Sequence, residues 1–272
     1  MCWKRPALST VKRLWEERKV LRLLVKRDLR VRYSQSVIGY LWTVLDPLAT
    51  ALIYFMIFVV IFERRDAGHT PYFLFLLAGL LPWQWFNGAV NESMRALIAE
   101  QQLVKSTQLP REIWVVRVVA SKGLEFIFSL PVLVLFTIVY MIRGETHLDW
   151  GLLLFPVGIA LLFLLITGFG LFLAPLTVMM FDIQPTVRIF LRVYFYMTPI
   201  IFNLEKLDKL HGWQWVFQIN PLAGILELFR AGFFPNPVRW NVVGVSVLGT
   251  FLLLGIGVWT FKRLERTVLK EI

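Results

Sequence analysis

Side chains able to do chemistry are sparse in this 272-residue chain, and their spacing excludes most reactions. His69, His147 and His211 stand apart, with no partners at metal-ligand spacing, so they read as solvated loop residues. No Gly is followed directly by Lys, which excludes a P-loop and nucleotide hydrolysis by the chain itself. The single Cys2 cannot form an internal disulfide. Asp46 is the one carboxylate well inside an apolar stretch, Val37 to Phe62. An ionised acid at mid-bilayer costs roughly 2.5–3.5 kcal/mol, so Asp46 is expected to face protein or water. Two roles fit it: hydrogen bonding to backbone freed by Pro47, or participation in transport. No second acid lies at membrane depth, as proton or sodium coupling usually requires. These residues predict no active site, no metal and no bound cofactor.

The elements that must position these few groups are membrane helices. The chain is 57% hydrophobic and 17% charged, with mean hydropathy +0.65, too little polar surface to cover a soluble globule. Its net charge of +11 would suit nucleic acid, but the basic residues cluster beside apolar runs. That placement suits anionic headgroups and topology signalling instead. No cleavable signal peptide is evident. Six spans are expected, at about 37–62, 71–91, 118–142, 151–180, 186–204 and 241–261. The fourth is long enough to tilt, or to kink at Pro156 and Pro175. With both termini cytoplasmic, the inner segments hold 22 Lys and Arg and the outer segments seven.

Residues 205–240 form the awkward stretch. An apolar run from Trp213 is cut at Asn220-Pro221 and interrupted by Glu227 and Arg230. Each half is too short to span, which predicts a re-entrant extracytoplasmic helical hairpin at about 212–235. Residues 1–36 predict an amphipathic interfacial helix. Val11, Leu14, Trp15, Leu21, Leu24, Val25 and Leu29 recur at helical spacing, with Lys and Arg filling much of the rest. It is either a headgroup anchor or a gate touching an amphiphilic substrate.

Three blocks then carry a family resemblance: RDLRVRYSQSVIGYLWTVLDPL at 27–48, LVKSTQLPREI at 103–113, and FDIQPTVRIFLRVYFYMTPIIF at 181–202 with NPLAGILELFRAGFF at 220–234. In this order they resemble the permeases of the ABC-2 class that export lipid-linked polysaccharides: O-antigen, capsule, teichoic acid and galactan. The similarity runs over nearly the whole chain, with Asp46 standing where many relatives have Asn. The resemblance implies a transmembrane domain over 37–272 and a homodimer in the bacterial inner or plasma membrane. Two copies of a cytoplasmic ATPase would hold the ATP and Mg. The substrate would be a glycan on polyprenyl diphosphate.

By the same resemblance, ATPase coupling maps to Leu103, Val104, Lys105, Leu109, Pro110, Arg111 and Glu112; an ordinary basic loop is the plain alternative. Arg30, Arg32, Tyr33, Arg188 and Arg192 are expected where a lipid diphosphate comes in, since a guanidinium fork matches phosphate oxygens. Snorkelling to headgroups explains the last two equally. Tyr40, Asp46, Tyr54, Phe58, Phe190 and Tyr194 are expected to line the channel, where rings stack on sugars. Asn220, Pro221, Glu227 and Arg230 are expected at its outer gate. Gly168 and Gly170 are read as close-packing positions. Three rivals remain: export of a smaller lipid or drug, ion-coupled secondary transport through Asp46, and a membrane transferase.

Overall fold

The computed structural model describes residues 7–34, 38–61, 71–203, 214–234 and 238–271, with backbone alone at 7–11, 33, 40, 58, 59 and 214. It is all-helical among the described residues. The elements run α1 (Ala7–Glu16), α2 (Arg18–Tyr33), α3 (Trp42–Phe55), α4 (Tyr72–Ser93), α5 (Ala96–Ala99), α6 (Gln101–Ser106) and α7 (Glu112–Ile142). They continue with α8 (Phe155–Met179), α9 (Ile183–Met197), α10 (Gln214–Gln218), α11 (Pro221–Arg230) and α12 (Trp240–Glu271). A 3-10 turn, Gly39–Leu41, opens α3, a π segment, Met56–Ile61, extends it, and another 3-10 turn, Trp150–Leu154, opens α8.

Four helical segments are long and apolar enough to cross a membrane: Tyr72–Ser93, Glu112–Ile142, Trp150–Met179 and Trp240–Glu271. These coincide with the second, third, fourth and sixth expected spans. The first expected span is α3 plus its π extension, 42–61, about 30 Å at 1.5 Å per residue. The fifth is shorter than expected: α9 stops at Met197, where Thr198 turns extended ahead of Pro199. The third begins at Glu112, just beyond Pro110, and not near 118. Pro156 produces no mid-helix kink, because it lies in the first turn of α8, where its missing N–H has no partner to lose. The expected interfacial helix is two helices, parted at Glu17.

Helix α4 is the post around which the others pack, touching α3, α7, α8, α9 and α11. That explains why 83% of its apolar stretch is buried. Trp85 of α4 lies flat on α7, donating to the Val119 carbonyl at 3.2 Å and stacking on Phe126 with centroids 5.1 Å apart. Gly123 makes room, since a Cβ there would sit 2.9 Å from the indole. Helices α8 and α12 meet backbone to backbone at Gly168 and Gly257. A Cβ on Gly168 would lie 2.8 Å from the Leu254 nitrogen, and one on Gly257 would overlap the Gly168 carbonyl. Gly170 closes against Val115 and Ser93, again a packing contact. Exposed apolar surface falls on α3, the C-terminal half of α7, α9 and α12, with Leu52, Leu135, Val193 and Leu248 all exposed.

Candidate functional site

The first feature is an ionic clasp. Apolar Leu21, Val25 and Leu29 turn α2 toward the bundle, and this brings its charged edge against α7 and the α4–α6 corner. Arg117, buried, pairs with Asp28 at 3.1 Å and Glu100 at 3.0 Å, and Arg27 also reaches Glu100. Arg32 bridges Glu92 at 2.5 Å and Glu125, while Lys122 reaches Glu125 at 2.9 Å and Glu92 at 3.5 Å. Burial would raise the Glu100 carboxyl, but Arg117 and Arg27 outweigh it and hold the group below its ordinary range. Four cations meet four carboxylates, so α2 is fastened without net charge.

Beside the clasp run two clefts that share residues. One, of 450 Å³, is lined by Arg32, Trp42, Asp46, Gln84, Asn87, Lys122 and Glu125 among others. Its neighbour, of 380 Å³, is lined by Asp46, Thr50, Tyr54, Trp83, Gln84, Asn87, Arg192 and Tyr196 among others. Asp46, Gln84 and Asn87 belong to both. The result is a strip of planar hydrogen-bonding groups flanked by rings, on which Trp83 and Tyr54 both pack against Phe195, at 5.3 and 6.0 Å between centroids. Such a strip is suited to a polyhydroxylated ligand: carboxylate and amides take hydroxyls, rings take the apolar sugar faces.

The third feature is a cap built where α9 ends. Asn220 caps α11 by accepting from the Leu222 N–H at 2.9 Å, and Pro221 occupies the first helical turn. The Tyr194 hydroxyl donates to the same Asn220 oxygen at 2.5 Å, and Asn220 Nδ2 donates to Thr198 Oγ1 at 2.9 Å. Because α9 ends at Met197, the Pro199 and Ile200 carbonyls stand outside any helix, and buried Arg230 donates to them at 2.6 and 3.0 Å and to the Phe75 carbonyl of α4 at 3.4 Å. Its guanidinium carbon also lies 3.6 Å from the Phe75 ring centre. Most of α11 is buried against α4, α8 and α12.

The expected site residues are therefore distributed unevenly. Asp46, Tyr54 and Arg192 come together in one cleft, with Arg32 at the adjoining one. Phe190 is exposed and stacks on Tyr194 at 5.3 Å, but Tyr194 is buried within the chain, its hydroxyl committed to Asn220. Asp46 does not repair the backbone near Pro47 with its side chain; its own carbonyl accepts from Thr50 Oγ1 at 2.9 Å. Arg30 and Arg188 are exposed, Arg188 donating to the Gln184 carbonyl at 3.4 Å. The side chains of Tyr33, Tyr40 and Phe58 lie outside the described residues. Asn220 and Arg230, at the two ends of α11, both anchor on residues 198–200, Pro221 opens the helix, and Glu227 is half-buried on it.

In the α6–α7 turn, Val104, Pro110 and Glu112 are buried, Leu103, Leu109 and Arg111 half-buried, and Lys105 exposed. Arg111 reaches Glu265 of α12 at 2.6 Å, tying the turn to the C-terminal helix. Sequence reading missed Gln84 and Asn87, although uncharged amides one turn apart in a 22-residue apolar helix were a usable signal. It also missed the clasp, whose hint was Lys122 three residues before Glu125.

Residues 19–234 match the family described as ABC-2 type transporter. The chain is 29% identical over 246 residues to the O-antigen export system permease protein RfbA of Klebsiella pneumoniae, covering 90% of this chain and 92% of that protein. A second RfbA, from Myxococcus xanthus, is 29% identical over 229 residues, 84% of this chain and 85% of the relative. The polysialic acid transport protein KpsM of Escherichia coli is 27% identical over 247 residues, covering 90% and 93%.

Proposed function

The chain belongs to the ABC-2 type transporter family, and from that premise we propose that it is the permease of an exporter carrying a polyprenyl-diphosphate-linked polysaccharide across the bacterial inner or plasma membrane. One observation supports the polysaccharide in particular: Asp46, Gln84 and Asn87 run through two adjoining clefts between walls of aromatic rings. Two copies of the chain make the channel, each bound to a cytoplasmic ATPase that holds ATP and Mg. Each copy crosses six times, counting α3 with its π extension and α9 with the extended residues that follow it. Both termini are cytoplasmic. The diphosphate comes in past Arg30, Arg32 and Tyr33, with Arg188 and Arg192 beyond, and the glycan passes Asp46, Tyr54, Phe58 and Phe190.

The α10–α11 hairpin closes the outer mouth. Because Asn220 and Arg230 anchor α11 inside the bundle, they hold this gate in place more than they move with it. The α6–α7 turn transmits the ATPase stroke through α7, with Lys105, Gln101, Gln102 and Gln108 as its outward surface.

Co-expression with ATPases from the same genome, followed by co-elution and hydrolysis measurements, tests the assignment. The informative variant is Lys105→Glu with Gln102→Glu, because both side chains are exposed and the fold does not depend on them. A stable complex whose hydrolysis or recovery falls in that variant is the expected result. A permease that elutes alone from every candidate, or one that drives transport from an ion gradient without ATP, removes the reading.

A further inference from the structure

On the side of α2 away from the clasp lies a groove of 480 Å³. Its floor and walls are apolar: Leu21, Val25 and Leu29 of α2 face Leu124 and Ile127 of α7 and Phe163 of α8. Arg22 and Lys26 are the only charged residues lining it. At 100° per residue, Asp28 falls on one edge of the Leu21–Val25–Leu29 stripe, and Arg22 and Lys26 fall on the other, one turn apart. The two edges differ in partners. Arg27, Asp28 and Arg32 are all ion-paired, whereas exposed Arg22 and Lys26 carry no ion pair among the described residues.

We propose that this groove binds one acyl chain of an anionic phospholipid, with the lipid phosphate held between Arg22 and Lys26. A close-packed protein does not leave an apolar groove of this size vacant, and a site with so few polar partners does not hold water. The groove is continuous with lipid-facing surface through Ile127, which is exposed. A chain can therefore slide in laterally while its headgroup stays at the interface. Two cations one turn apart, without an ion pair among the described residues, match a single phosphate, whereas every charge at the clasp has an opposite partner. The lipid then supports the back of α2 as the clasp holds its front.

Native mass spectrometry of the purified full chain tests this, with phosphatidylglycerol and phosphatidylcholine of matched chains as probes. The expected result is one phosphatidylglycerol retained in preference to phosphatidylcholine. R22Q with K26Q should weaken it roughly thirtyfold, at about 1 kcal/mol per basic residue. Ala120→Phe, which fills the groove, should abolish retention, whereas Lys19→Gln, an exposed cation off the groove, should leave it unchanged. The charge pair is exposed and its removal leaves packing intact, so the test survives a poorly folding Ala120→Phe. Equal retention of the two lipids, or full retention in R22Q with K26Q, overturns the proposal. So does undecaprenyl phosphate displacing phosphatidylglycerol, which would make a polyprenyl tail the occupant.

Discussion

Arg117→Leu should release α2 from the bundle. The guanidinium is 6% exposed and pairs with Asp28 and Glu100, whose side chains are 13% and 20% exposed. Removing one partner of a buried ion pair costs roughly 3–5 kcal/mol, because the carboxylates left behind are desolvated without compensation. Arg27 still reaches both acids, so the lower end, about 3 kcal/mol, applies here. At about 2–4 °C per kcal/mol, the apparent Tm in detergent should fall by roughly 6–12 °C. Trypsin should also cut α2 sooner, as its basic residues become accessible.

The decisive control is Arg117→Leu combined with Asp28→Asn and Glu100→Gln. If stranded charge is the cause, this triple variant recovers most of the lost stability, since neutral amides are far cheaper to bury than carboxylates. Should the single variant melt within 1 °C of the wild type, the pairs contribute nothing and the clasp is not what fastens α2. A triple variant no better than the single one points instead to the lost contact of the Arg117 guanidinium with Trp114, whose ring centre lies 5.4 Å from its central carbon.

Gln84→Leu with Asn87→Leu should lower glycan export about 5- to 150-fold in a reconstituted flux assay, at about 0.5–1.5 kcal/mol for each of two lost hydrogen bonds, while Tm stays near wild type. Unchanged flux would remove the clefts from the transport path. Gly257→Leu should prevent α12 from reaching α8, with a loss of 3 kcal/mol or more expected from so severe an overlap and read as loss of monodisperse protein; an intact elution profile refutes it. The depressed Glu100 carboxyl makes stability depend on acid: its contribution is complete above the unfolded carboxylate pKa and is lost as pH falls through the lower folded value. Tm measured from pH 6 downward should therefore drop less steeply in Glu100→Gln, and parallel curves would contradict that.

Much of the architecture was legible because long apolar runs and periodic apolar residues report burial directly. Helices α4, α7, α8 and α12 are such runs, and the break at Asn220-Pro221 appears in the structure as a capped helix start. What stayed hidden depended on partners distant in sequence. Arg230 read as a gate charge, yet it donates to the Pro199 and Ile200 carbonyls, which stand outside any helix because α9 ends at Met197, 33 residues earlier. Tyr194 read as a channel ring until Asn220, 26 residues on, took its hydroxyl. Gln84 and Asn87 were passed over because neutral amides do not register in a search for charges inside apolar runs. Periodicity put Val25, Leu29 and Trp15 on one apolar face of a single N-terminal helix; Val25 and Leu29, on α2, are buried, whereas Trp15, on α1, is 68% exposed. A helix at an interface has two apolar destinations, protein and lipid, and sequence spacing does not separate them.

That same distinction bears on Asp46, the residue on which ion-coupled transport would have to depend. A proton or sodium site needs an acid whose neighbours favour cations. Asp46 instead shares its clefts with Arg32, Lys122 and Arg192, against Glu125 as the one other acid lining them. With Glu92, which pairs with both Arg32 and Lys122, the three cations are matched by three carboxylates counting Asp46 itself, a balance that leaves no excess negative charge to hold a coupling cation. Asp46→Asn preserves shape and hydrogen-bonding capacity, and removes only a partly solvated attraction to those cations, worth about 1 kcal/mol or less. ATP-driven glycan flux in proteoliposomes should therefore fall no more than about fivefold, and collapsing the proton and sodium gradients should change neither protein. A variant that loses flux completely, together with a wild type that stops when the gradient is collapsed, would move the driving force from the ATPase to Asp46.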